Sequence, residues 1–213
     1  MKSSRRKGRQ TAAGGETGRF RIIAGQWRGR RLSFPALEGV RPTADRVRET
    51  LFNWLQPIIQ GARCLDLFAG SGALGLEALS RGAASVTFVD RQPAVVRAIA
   101  SHLEVLGSSD GLAVCARTEM FLQTAGGPFD IVFLDPPFGT DVLPGLCQII
   151  EDEHCLSPGG RVYLEHAAAA PPPALPPGWQ LLRSARAGNV RYHLASGPAA
   201  GTHSEPDAEQ GAP

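Results

Sequence analysis

Residues 62–75 read ARCLDLFAGSGALG, and the rest of the chain is placed outward from them. ARCLDLF (62–68) is an apolar run of strand length, AGSG is a turn, and ALGLEALSR has the composition of a helix. A buried strand that turns on glycines into a helix is the opening unit of a parallel α/β sheet. Downstream the alternation continues. ASVTFVD (84–90) is a strand followed by the helix PAVVRAIASHLEVLG, and LAVCA (112–116) is a strand followed by a short helix near 118–124. FDIVFLD (129–135) leads through PPFGT to a helix over about 141–152, and GRVYLEH (160–166) is a fifth strand. WQLLRSA (179–185) and VRYHLA (190–195) leave no room for a helix between them, so they pair as an antiparallel hairpin. The expectation is a doubly wound, mostly parallel seven-stranded sheet with a reversed C-terminal strand and with ligands at the carboxyl ends of the strands. Upstream, FRIIA (20–24) and RLSF (31–34) read as a small N-terminal β-hairpin around a Gly25–Gly29 turn. RPTADRVRETLFNWLQPI then reads as a helix capped by Thr43, with Val47, Leu51, Trp54 and Leu55 at helical spacing.

The chain has 213 residues, 43% of them apolar and 20% charged, which suits one folded domain of ordinary size. No apolar run reaches the ~18 residues of a membrane span. The basic start, MKSSRRKGRQTAAGGETG, has no apolar stretch after it and is not a secretory signal, although its Arg-rich, acid-poor composition also fits an organelle transit peptide. Cys64, Cys115, Cys147 and Cys155 are scattered and form no CxxC pair, so they read as reduced thiols of a soluble cytoplasmic protein. No His/Cys set has ligand spacing, and no metal is expected. Residues 1–31 hold ten Lys/Arg against Glu16, while the other 182 residues hold 12 basic and 19 acidic side chains. A basic arm on an acidic body points to a polyanionic partner; a solvated tail is the other reading of its first ten residues. The organisation expected is a disordered basic tail (1–18), an RNA-facing hairpin and helix (19–60), the sheet domain (61–195) and a disordered tail (196–213).

Gly70, Gly72 and Gly75 satisfy GxGxxG, and the second strand ends in Asp90, an acid suited to a ribose diol. NAD and S-adenosylmethionine both fit that pattern. Asp66, beside the turn, is a poor neighbour for a pyrophosphate and a sensible one for an ammonium group. After the fourth strand comes Asp135-Pro136-Pro137-Phe138. The two prolines remove backbone donors, leaving the Asp135 carboxylate and the Pro136 carbonyl as acceptors. Such an array can hold an –NH2 group by both hydrogens, with Phe138 as a flat platform for a base. Each motif alone also occurs as a plain strand-to-turn junction; their order and spacing together argue otherwise.

DLFAGSG, an acid-terminated second strand and DPPF resemble the Rossmann-like class I methyltransferases that act on exocyclic amines. More closely, RIIAGQWRGRRL, RPTADRVRETLFNWL, CLDLFAGSGALGLEALSRGA and FDIVFLDPPF together resemble the RsmD family, over about residues 20–195. The resemblance implies methyl transfer from S-adenosylmethionine to N2 of one guanine in bacterial 16S ribosomal RNA. It implies that Asp66, Ala69, Gly70, Ser71 and Gly72 line the cofactor, that Asp90 with Arg91 takes the ribose, and that Asp135, Pro136 and Phe138 hold the guanine. Asp135 also borders the cofactor. Arg21, Arg28, Arg30, Arg31 and Arg46 would face RNA. This type of enzyme usually has Asp or Asn after the third strand, near the adenine amine. Here the stretch is Ala116-Arg117-Thr118-Glu119, which leaves Thr118, Glu119 or backbone alone for the adenine. The implied partner is 16S ribosomal RNA in a partly assembled small subunit, met by a monomer with no membrane contact.

Other readings remain open at this point. They are the same chemistry on DNA adenine N6 or a protein glutamine, an NAD-linked oxidoreductase with no use for DPPF, and a non-catalytic ribosome-assembly RNA binder. A binder has no use for Asp66, Asp90 and Asp135 near a polyanion. Trp54 and Phe52 read as packing residues, and Trp27 fits either packing or base stacking. The five histidines are assigned no chemistry, and Ala167–Pro177 reads as a stiff connector.

Overall fold

The computed structural model describes residues 17–35, 42–125 and 127–198. Most of the expected tails therefore lie outside the described residues. Thr17 and Gly18 already belong to a strand, as does Ser196, so the ordered body extends slightly past the expected limits at both ends.

The hairpin is β1 (Thr17–Arg21) and β2 (Arg31–Pro35), antiparallel and separate from the main sheet. Helix α1 spans Asp45–Leu55, and its apolar stripe buries Val47, Leu51, Phe52 and Leu55. Thr43 does not cap it. Ala44 occupies the cap position, no side chain caps the helix, and the Thr43 hydroxyl is used elsewhere. The alternating body is β3 (Arg63–Asp66), α2 (Ala73–Ser80), β4 (Ser85–Asp90), α3 (Pro93–Leu106) and β5 (Gly111–Cys115). It continues with α4 (Thr118–Leu122), β6 (Phe129–Leu134), α5 (Leu143–Asp152) and β7 (Leu156–Ala167). β8 (Gln180–Ala187) and β9 (Val190–Ser196) close the chain. β7 starts four residues earlier than the sequence suggested, because Leu156 pairs with Phe129 before the register shifts ahead of Ile131. Helix α3 has Pro93 in its first turn and ends on Gly107, whose φ of +66° is the left-handed stop that glycine adopts freely.

The seven-stranded sheet runs β5-β4-β3-β6-β7-β9-β8. β3, β4, β5, β6 and β7 are mutually parallel, while β9 is antiparallel to both β7 and β8. The Gly188–Asn189 turn is too short for a crossover, so it forces that reversal. Alternate residues of the central strands face opposite cores. Cys64, Ile131 and Phe133 join α1, α2 and α3 on one face; Leu65, Val132 and Leu134 join α4 and α5 on the other. Chain order reverses between β3 and β6, the place where the carboxyl ends of parallel strands open a crevice. No helix among the described residues is long and apolar enough to cross a membrane.

The hairpin is fastened to this body by buried polar contacts. Phe20, Ile22, Trp27, Leu32 and Phe34 are buried in the same core as α1 and α2, and Trp27, 8% exposed, is a packing residue. Glu77, fully buried on α2, accepts from the Ile23 and Ala24 amides at 2.8 and 3.0 Å. It also meets Arg48 Nη1 at 3.4 Å and Arg81 Nε at 2.7 Å. Arg48 is itself buried and donates to the Arg21 carbonyl (2.8 Å), the Thr43 carbonyl (3.2 Å) and Asp45 Oδ1 (2.6 Å).

Candidate active site

Three strand ends carry three acids: Asp66 ends β3, Asp90 ends β4, and Asp135 follows β6. All three fall at the crevice end of adjacent parallel strands, which the sequence alone made possible but could not bring together. The turn after Asp66 is built on glycine. Gly70 and Gly72 sit at φ +48° and +77°, and Gly72 is the residue from which α2 starts. Ala69 and Ser71 are buried, so Gly70 is the more open residue of the turn. Gly75 faces β4; a Cβ there would stand 2.2 Å from the Phe88 ring, so the third glycine lets helix and strand approach closely.

The acids are held in different ways. Asp90 is wedged between two elements: its Oδ2 accepts from the Gly70 amide at 3.0 Å and its Oδ1 from the Gln92 amide at 2.8 Å. Each oxygen keeps a further lone pair for an outside donor. Asp66 is 2% exposed, and its Oδ2 accepts from the Gly75 amide at 3.1 Å. Burial pushes its carboxyl up to about 7, the Asp135 and Asp90 charges add to the rise, and the Gly75 hydrogen bond opposes it. Asp135 is half-buried, and its Oδ2 accepts from the Thr43 hydroxyl at 3.1 Å. Burial raises it to about 6 against the pull of that hydrogen bond. Pro136 is buried, whereas Pro137 is exposed and Phe138 leaves 54% of its surface to solvent.

This concentration of negative charge discriminates between ligands. It repels a pyrophosphate and favours a cation. A ligand with a ribose diol and a positively charged end fits the groups present: acceptor acids at two strand ends and a glycine turn that exposes backbone.

Not every expected residue reaches the site in the way expected. The Thr118 hydroxyl is buried and donates to the Leu67 carbonyl at 2.9 Å, so it fastens α4 to the end of β3. Arg117 and Glu119 lie 3.8 Å apart on the surface. Arg91 is exposed beside Asp90. Arg28, Arg30, Arg31 and Arg46 are exposed on the hairpin and α1, and Arg21, also exposed, meets Asp45 at 3.4 Å. Among the described residues no group of three or more His, Cys, Asp or Glu could hold a metal ion.

Sequence reasoning missed Arg48, Glu77 and the use of Thr43. A signal for the first two was present. Arg48 falls on the apolar stripe with Leu51, Phe52 and Leu55, and Glu77 is the one acid of the apolar helix ALGLEALS. A charge on each of two buried faces asks for a partner. Two histidines also acquire a structural role, since His166 Nε2 and His193 Nε2 lie 3.0 Å apart in the core.

Comparison with known proteins identifies relatives of the whole fold. Residues 20–196 match a family model described as Conserved hypothetical protein 95. Over 178 residues the chain is 46% identical to Ribosomal RNA small subunit methyltransferase D of Escherichia coli strain K12, covering 84% of this chain and 90% of that protein. The solved structure of yhhF from Escherichia coli is 44% identical with a TM-score of 0.80, covering 85% of this chain and 99% of that one. A T. thermophilus 16S rRNA N2 methyltransferase, solved with AdoMet and guanosine, shares the fold at 22% identity and a TM-score of 0.63, over 85% of this chain and 50% of that one.

Proposed function

The chain belongs to the RsmD family of ribosomal RNA methyltransferases, and on that premise we propose that it transfers a methyl group from S-adenosylmethionine to the exocyclic N2 amine of a guanine in 16S ribosomal RNA. The observation that carries the reading is the meeting of Asp66, Asp90 and Asp135 at one crevice, with the Pro136-Pro137-Phe138 run leading out of it.

When bound, S-adenosylmethionine supplies a methyl group already activated on a sulfonium. Asp66, Asp90 and the backbone around Gly70 and Gly72 are the residues that would hold it, with Ala69 and Ser71 forming the wall of the turn and Arg91 at its rim. The task left to the chain is alignment, which can account for a large share of a barrier. The Asp135 carboxylate and the Pro136 carbonyl accept the two hydrogens of the guanine amine. Holding both hydrogens favours a pyramidal nitrogen and frees its lone pair from the ring. Phe138, exposed at the mouth, stacks on the base.

N2 of a paired guanine lies in the minor groove, so the base must be unstacked or already lie in a loop. Arg21, Arg28, Arg30, Arg31 and Arg46 bind phosphate and position the RNA without reading its sequence. We read the protein as a cytoplasmic monomer acting on a partly assembled small subunit. Asp135→Ala tests the assignment: methyl transfer to 16S RNA falls at least a hundredfold while S-adenosylmethionine still binds in calorimetry. Turnover that survives the substitution removes Asp135 from the amine.

A further inference from the structure

At the same end of the sheet stands a buried acid to which the reaction gives no part. The parallel register of β6 and β7 pairs Phe133 with Tyr163 and Leu134 with Leu164. One step further along both strands are Asp135 and Glu165, on the face that Phe133 and Tyr163 share, because residues two apart point the same way. Glu165 is 5% exposed. Its Oε2 accepts from the Tyr163 hydroxyl. Across the sheet it is paired in register with Tyr192 of β9, whose ring lies 6.3 Å from that of Tyr163 and 5.5 Å from Trp54 of α1. Among the described residues no ion pair involves Glu165. A second anion beside Asp135, walled by aromatic rings and without a cation, is costly to form.

We propose that Glu165 stands at neutral pH as a neutral carboxylic acid and works as a positioning residue, leaving Asp135 the ionised member of a carboxyl pair and therefore the acceptor for the amine. The inference rests on the amine-holding role given to Asp135 above. The direction of the proton affinities agrees. Burial pushes the Glu165 carboxyl up to about 8, the Asp135 charge adds to the rise, and the Tyr163 hydrogen bond opposes it. Asp135 rises only to about 6. Glu165 is the more deeply buried of the two and Asp135 opens on the crevice, so proton loss from the pair falls first on Asp135. The other groups facing the pair do not reverse that order. Asp66 on β3 is a third acid that adds negative charge, Thr43 brings a hydroxyl from the segment before α1, and Tyr163 and Tyr192 are phenols. Without a neutral neighbour, Asp135 would share its ionisation with Glu165 and hold the amine for only part of the time.

The test is an infrared titration of the whole chain, following the carbonyl stretch of neutral carboxylic acids. The expected result is a band present at pH 7, absent from Glu165→Gln, and lost near pH 8 as the wild type is titrated. In Asp135→Asn the same band titrates lower by about one unit, because the neighbouring charge has gone. If Glu165→Gln does not fold, carbon NMR of carboxyl-labelled glutamate in the wild type and in Asp135→Asn reads the same titration. A Glu165 that is already ionised at pH 7, or a titration that Asp135→Asn leaves in place, overturns the proposal. Methylation of 16S RNA by Asp135→Asn is scored separately. Transfer that survives there removes the amine-holding role, and with it the purpose of the pair, by a result that the titration does not mimic.

Discussion

The Thr43 hydroxyl donates to Asp135 Oδ2 at 3.1 Å, joining the segment that leads into α1 to the acid 92 residues later at the end of β6. The N-terminal segment thus reaches into the crevice. It also hangs from Arg48, whose Nε donates to the Thr43 carbonyl at 3.2 Å. The position of Asp135 is therefore set partly by the segment between the N-terminal hairpin and α1.

Thr43→Val keeps the shape and removes the hydroxyl. The lost hydrogen bond had been lowering the Asp135 proton affinity, so the carboxyl rises above about 6. In the proposed reaction the ionised carboxylate accepts from the amine more strongly than the neutral acid, so the acid limb of kcat/KM moves to higher pH. Stability falls by about 1 kcal/mol. A pH–rate profile beside a urea titration checks both.

Arg48→Met leaves Glu77 and Asp45 short of a cation and frees the Arg21 and Thr43 carbonyls. Breaking a buried ion pair from one side costs about 3–5 kcal/mol. Arg48→Met combined with Glu77→Gln should be less damaging than the sum of the two, because the second change removes the charge the first left behind. Urea unfolding of the two single variants and the double variant measures this coupling. Limited proteolysis should show the hairpin released first.

Arg28, Arg30 and Arg31 are exposed on one hairpin. Replacing all three by alanine weakens binding to 16S RNA and lowers the slope of log K against log salt by about two to three. An unchanged slope would mean that these side chains do not meet phosphate.

His193 is buried against His166, with Ser184 Oγ 2.7 Å from its Nδ1. Burial, then the His166 and Arg191 charges, hold its proton affinity down to about 4 from the usual 6.5. The unfolded chain takes up that proton and the folded chain resists it, so this residue costs stability as pH falls from about 6.5 to about 4. Asp66, Asp135 and Glu165 act in the opposite sense. Their raised affinities stabilise the fold at low pH, and that contribution is lost as pH rises through about 6 to 8. Comparing His193→Gln with wild type isolates the histidine: the variant should lose less Tm between pH 7.5 and pH 4.5.

The central strands and their helices were legible because each reports itself locally. A parallel strand buried on both faces is an apolar run, and the sharp passage from β3 to α2 uses positive φ at Gly70 and Gly72, which glycine adopts freely. The acids at 66, 90 and 135 were legible because each ends such a run. Thr43 was misread for a physical reason. A threonine just before an amphipathic helix has the pattern of a cap, and nothing near it in the chain shows that an acid 92 residues away competes for the hydroxyl. Arg48 and Glu77 sat in plain sight on apolar faces, but their pairing needs two helices to meet. Glu165 sits inside the strand run GRVYLEH and drew no reading of its own, because only the β6–β7 register places it beside Asp135.

The residue order by itself determined which segments are strands, where the chain turns on glycine, and that an acid stands at the end of three strands, since these follow from backbone sterics and from the periodicity of burial. Only the tertiary structure decided which acids become neighbours and which hydroxyl or cation each one meets. Proton affinity depends on burial and on charges a few ångströms away, and distance in space is not encoded by distance along the chain.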